Sequence, residues 1–223
     1  MREDFDQRIL EINSYFEFIE KIDSGVHIVV NSSDQKQAYT VTAQTELIKT
    51  LKANGFVVLY NLIEATVKNA IEAIFDEIDS KSVDFDQCRL EIQRIVLNNM
   101  KKRNVDKLLP MVNAIAKDLA GATFRKDELF SGNLDARRIR KAASDFGFQA
   151  PQKKSDELVT VKDNRNDLAH GNKSFAEVGR DYDVARILII KQEVVEYLED
   201  LLTNVEQYLS GQLYLKSPAT FAP

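Results

Sequence analysis

Residues 45–78 read TELIKTLKANGFVVLYNLIEATVKNAIEAIFDEI, and the spacing of their apolar side chains decides the fold class. Leu47, Leu51, Phe56, Leu59, Leu62, Ile63, Val67, Ala70, Ile71, Ile74 and Phe75 recur mostly at intervals of three and four, the period of an α-helix. The stripe is broad, which predicts a central helix packed on more than one side. Gly55 is the point at which such a helix would kink or divide.

Working outward, Phe5, Ile9, Ile12, Phe16 and Ile19 mark one face of an amphipathic helix over about 3–21. Between the two helices the texture changes. Two runs rich in β-branched residues, at 26–30 and 38–42, flank a polar turn and predict a small β-hairpin insertion over 26–42. Beyond the central helix, further helices are expected over about 85–102, 105–120 (bent at Pro110 if continuous) and 134–146, with a less regular stretch at 124–131. A polar connector, 150–155, precedes a short helix over 156–169, which Gly171 is placed to end as a left-handed cap. A last long helix is expected over 183–209. These elements predict an all-α single domain over 1–211, followed by a loose tail over 212–223.

Composition agrees with that reading. The 223 residues are 44% hydrophobic, enough for a real core, while Gly (8) and Pro (4) are too scarce for the many turns of a β-sandwich. The one cysteine, Cys88, excludes an internal disulfide and a cysteine-based zinc site. Its helical pattern with Glu91 and Ile92 makes it core filler rather than a nucleophile. The N-terminus has no signal-peptide run, and no stretch reaches the ~18 apolar residues of a membrane span, so a cytoplasmic protein without a membrane partner is expected. Net charge is −5, yet between Lys101 and Lys141 eleven basic residues face five acidic ones, a local net of +6. Such a region can hold phosphates, although charge runs more often mark solvated helix faces.

Two histidines limit acid–base chemistry near neutral pH. His27 lies in an apolar, strand-like run and reads as structural. His170 lies in Lys162-Asp163-Asn164-Arg165-Asn166-Asp167-Leu168-Ala169-His170-Gly171. Leu158, Val161, Arg165 and Leu168 share a helical stripe, so Arg165 stands where an apolar residue belongs. A guanidinium turned towards a core or an interface must be satisfied, by an acidic partner or by a bound phosphate. His170 follows about 140° around the axis and roughly 7.5 Å along it. Helix-end carbonyls favour an imidazolium there and a nearby guanidinium opposes it, a balance suited to acid–base work. A residue that merely caps the helix beside Gly171 would read the same way.

The run Arg165-Asn166-Asp167-Leu168-Ala169-His170 resembles the Arg-polar-x-x-x-His signature of the HEPN superfamily. Together with residues 171–180 (GNKSFAEVGR) and 59–67 (LYNLIEATV), it is similar to the MAE-type HEPN subgroup. The resemblance covers most of the chain but not the hairpin segment. It implies an all-helical bundle, often a ribonuclease of toxin–antitoxin, abortive-infection or related defence systems. The implied reaction is metal-independent RNA cleavage without a cofactor, in which the 2′-hydroxyl attacks the adjacent phosphorus. That step needs a base, an acid and positive charge on the phosphoryl oxygens. One motif histidine per chain supplies one acid or base, so a homodimer that joins two motifs is favoured.

On this reading Arg165 meets phosphate charge, His170 does general acid–base work, and Asn166 orients the motif or the scissile group. Asp167 supports the motif. Glu64 is either a buried partner of an arginine or a solvent-facing side chain. Lys173, Arg180, Arg137, Arg138 and Lys141 are candidates for binding the RNA backbone, and a cognate antitoxin protein is a candidate partner. Two rival readings stand: a non-catalytic HEPN-like module binding a protein or nucleic acid, and a structural helical adaptor in which Arg165 forms a buried ion pair.

Overall fold

The computed structural model describes residues 1–25, 45–101 and 133–216. Among them are seven helices and no strand: α1 (Arg2–Asp23), α2 (Thr45–Ser80), α3 (Leu90–Lys101), α4 (Ala136–Phe146), α5 (Asp156–Ala169), α6 (Phe175–Arg180) and α7 (Val184–Ser210). The fold is all-α, as the periodicity predicts. The hairpin expected over 26–42 with His27, the helix over 105–120 and the stretch at 124–131 lie outside the described residues.

The described helices form two compact units, with α2 and α7 contributing to both. One unit comprises residues 2–63 and 155–195. Its core is built from Phe5, Ile12, Phe16 and Ile19 of α1, Phe56, Leu59, Tyr60 and Ile63 of α2, Leu158 and Val161 of α5, and Ile187, Ile190 and Val194 of α7, all buried. α2 runs unbroken through Gly55, where a Cβ would press to 3.2 Å from the Phe16 ring. The glycine therefore serves the close approach of α1 rather than a kink. Tyr15 Oη donates to the Leu51 carbonyl at 2.6 Å, and Lys191 Nζ donates to Asn13 Oδ1 at 2.8 Å. Both bonds tie α1 to its neighbours.

Gly179 on α6 meets α2 so closely that a Cβ there would overlap the backbone of Lys49. α6 itself was not foreseen from the sequence. Its start is a capping box: Ser174 Oγ accepts from the Glu177 N–H, and the Glu177 carboxylate accepts from the Ser174 N–H at 2.7 Å. The Ser174 N–H, with the Ser174 hydroxyl that donates to the same carboxylate at 2.8 Å, holds the Glu177 carboxyl below its ordinary range. The spacing of Ser174 and Glu177 was the available signal.

The other unit comprises Met1, 64–154 and 196–223. Val67, Ile71, Ile74 and Phe75 of α2, Ile92 and Val96 of α3, Ile139 and Phe146 of α4, and Leu198, Leu201 and Val205 of α7 are buried in it. Helix α3 starts at Leu90, later than the 85–102 pattern suggests. The physical reason is backbone pairing: Arg89 N–H donates to the Tyr214 carbonyl at 2.8 Å and Lys216 N–H to the Gln87 carbonyl at 2.9 Å. Cys88 thus sits in an antiparallel bridge with Leu215, buried as expected but not helical.

The same pairing ties down residues 214–216, which fall in the segment expected as a tail over 212–223. Within it Tyr214 is fully buried, while Gln212, Leu213 and Lys216 are exposed. Arg89 clamps this turn, donating to Gly147 O at 2.7 Å, Leu213 O at 3.2 Å and Glu91 Oε2 at 2.8 Å.

Candidate active site

The site belongs to the unit of residues 2–63 and 155–195. Helix α5 carries acidic Asp156 and Glu157 in its first turn, where they favour the helix dipole, and buries Glu157, Leu158, Val161 and Asn164. Asn164 Nδ2 donates to the Thr160 carbonyl at 2.8 Å and to Tyr182 Oη at 2.9 Å. The Tyr182 ring meets Phe56 edge-on at 4.8 Å, and its carbonyl accepts from Lys52 Nζ at 2.7 Å. This network fixes the rotation of α5 against α2.

Arg165 follows that buried face and is half-buried. Its guanidinium carbon lies 4.5 Å from the centroid of the Tyr60 ring. Nη1 donates to Asn166 Oδ1 at 3.1 Å. The sequence posed a choice between an acidic partner and a phosphate. Among the described residues its partners are neither: one is an aromatic face and the other an amide. A cation over a ring gains about 0.5–2 kcal/mol, which helps to offset partial burial without cancelling the charge. Glu64, half-buried on α2, belongs to the other unit. Tyr60 was missed as a site residue; its place beside Phe56, Leu59 and Ile63 on the apolar stripe, with a hydroxyl to satisfy, was the signal.

The end of α5 is a Schellman cap. His170 is the C-cap, and Gly171 takes the left-handed conformation at φ 70°. Gly171 N–H donates to Leu168 O at 3.3 Å and Asn172 N–H to Asp167 O at 2.8 Å. His170 N–H donates to the Asn166 carbonyl at 3.0 Å, so Asn166 holds Arg165 through its side chain and His170 through its backbone. The His170 side chain is exposed. Asp167 ties down the turn that follows, accepting from Asn172 Nδ2 at 3.4 Å and standing 3.6 Å from Lys173 Nζ. Lys173 and Arg180 are exposed on the same unit, Arg180 in the last turn of α6.

Arg137, Arg138 and Lys141 lie on the exposed face of α4, in the other unit. Lys141 pairs with Asp145 at 2.6 Å. Asp135 caps α4 by accepting from the Arg138 N–H at 3.0 Å. Among the described residues no group of three or more His, Cys, Asp and Glu side chains is placed to share a metal ion, and no helix is long and apolar enough to cross a membrane.

Fold and motif together define an all-helical protein with an Arg–Asn–x–x–x–His sequence closing one helix. The chain belongs to the HEPN_MAE_28990-like HEPN family, whose model matches residues 1–214. HEPN domains are frequently ribonucleases, and they commonly dimerise and bind RNA. Neither the curated proteins nor the solved structures contain a match to the chain.

Proposed function

We propose that this protein is a metal-independent endoribonuclease, a toxin or defence effector of the cytoplasm, that cleaves RNA by 2′-hydroxyl attack at a site shared between two copies of the chain. The observation that carries the reading is Arg165, a half-buried cation seated on Tyr60 and Asn166 with no acid among its described partners. A guanidinium held in this way offers charge to a phosphoryl group as negative charge builds in the transition state.

His170, exposed at the end of the same helix and bonded through its backbone to Asn166, supplies acid–base chemistry. One such histidine per chain serves one proton transfer, and a symmetric dimer provides the second. Lys173 and Arg180, exposed on the unit that carries the motif, hold the RNA backbone; Arg137, Arg138 and Lys141 on the other unit are further basic residues offered to RNA by their own exposed face. An antitoxin that covers the site would keep such an enzyme silent.

The test is cleavage of total RNA and tRNA in EDTA by wild type, His170→Ala and Arg165→Ala. Fragments ending in 2′,3′-cyclic phosphate from wild type, lost in both variants, support the proposal. Silence from folded, dimeric wild-type protein that still binds RNA favours a non-catalytic binding module, and equal cleavage by all three proteins refutes the site.

A further inference from the structure

We propose that Tyr60 is a positioning residue for this reaction: its ring seats the Arg165 guanidinium, a cation with no acid among its described partners, in register for the substrate phosphate. The inference rests on the ribonuclease reading above and extends it to a residue outside the motif.

Tyr60 is fully buried on α2, between the equally buried Phe56 and Ile63 one turn to either side. Its ring is therefore a fixed surface rather than a mobile contact. The guanidinium is planar and spreads its charge over that plane, which suits it to an aromatic face. At 4.5 Å from the centroid the cation is within the attraction of the ring quadrupole. Asn166 Oδ1 takes one of the five guanidinium donors and so restricts the rotation of the group.

The choice of a ring over a carboxylate has a chemical consequence. A carboxylate would hold Arg165 as firmly, but a phosphate would then compete with a permanent negative charge. An aromatic face attracts the cation and leaves its full positive charge for an incoming anion. Partial burial lowers the local dielectric and strengthens that attraction. The same side chain on an open surface would be screened by water and salt.

The test places phenylalanine and its mono-, di- and trifluorinated forms at position 60 of the full chain. Fluorination withdraws charge from the ring face with little change in volume. The Tyr60→Phe protein should keep most of the wild-type rate, because the ring face and not the hydroxyl carries the contact. Along the fluorinated series kcat should fall stepwise, by about tenfold in total, with KM little changed. Tyr60→Leu should fall at least as far as the most fluorinated form. If that variant fails to fold, the fluorinated series still decides the matter. A flat series beside an inactive Arg165→Ala overturns the positioning role and leaves the ribonuclease reading standing. No cleavage by wild type overturns that reading and the role of Tyr60 with it.

Discussion

Arg186 donates from Nη2 to Glu157 Oε1 at 2.5 Å, joining the first turn of the motif helix to the first turn of α7. Glu157 is 5% exposed and its other oxygen, Oε2, is buried without a hydrogen-bond partner among the described residues. The pairing raises the Arg186 pKa, chiefly through the hydrogen bond to Glu157. Removing the cation strands a buried carboxylate. Arg186→Met should therefore cost about 1–3 kcal/mol in urea unfolding, towards the lower end because the arginine is partly exposed. The double replacement Glu157→Leu with Arg186→Met should recover most of that loss, since neither charge is then left buried. Additive losses would show that the two side chains act separately.

Two glycines near the site should answer alanine differently. A Cβ at Gly171 meets nothing within 4 Å, so only the left-handed backbone resists it. Gly171→Ala should cost about 1–2 kcal/mol and fray the end of α5 around His170. At Gly179 the obstacle is the Lys49 backbone, which cannot rotate away. Gly179→Ala should force α6 off α2 and lower the melting temperature by more than Gly171→Ala. Thermal unfolding of the two variants side by side checks the order.

Arg89 predicts a local effect in the other unit. It donates to Gly147, Leu213 and Glu91 together, so Arg89→Met should release the C-terminal turn. Amide exchange at 211–216 should accelerate far more than exchange in α2. The hydrogen bond from Arg89 also holds the Glu91 carboxyl below its ordinary 4.5. A lowered carboxyl contributes stability above the unfolded value and loses it as pH falls through the folded one. Wild type should therefore lose its advantage over Glu91→Gln as the solution is acidified below pH 4.5. Parallel stability curves for the two proteins would contradict the pairing.

Burial pushes the Cys88 thiol from its ordinary 9.0 to about 11. A raised thiol pKa adds stability that is complete below the unfolded value and is lost as pH rises from 9.0 towards 11. With no accessible thiolate, native protein should resist iodoacetamide at mildly alkaline pH and label only on unfolding. Mass spectrometry with and without urea reads the difference. Rapid labelling of the native chain would place Cys88 outside the core.

The helices were legible to the extent that their information is local. The motif helix, predicted over 156–169, has those same bounds, and its end is set locally by left-handed Gly171 and the Schellman hydrogen bonds that follow from it. The start of α3 was misread because residues 87–89 give their backbone groups to the C-terminal segment, a partner that no local pattern announces. Likewise 212–216 carry no strong periodicity, yet Tyr214 is buried and its carbonyl accepts from the Arg89 N–H.

At the site, sequence alone determined that Arg165 breaks an apolar stripe and that His170 closes the same helix. Both follow from the 3.6-residue period and one glycine, which operate over a few residues. Only tertiary structure decided what Arg165 faces. Its seat is Tyr60, from a helix far away in the chain, brought beneath it by the packing of α2 against α5 through Tyr182 and Asn164. The stripe demanded a partner for a half-buried charge, and its chemistry depended on which distant side chain the packed core presented to the guanidinium.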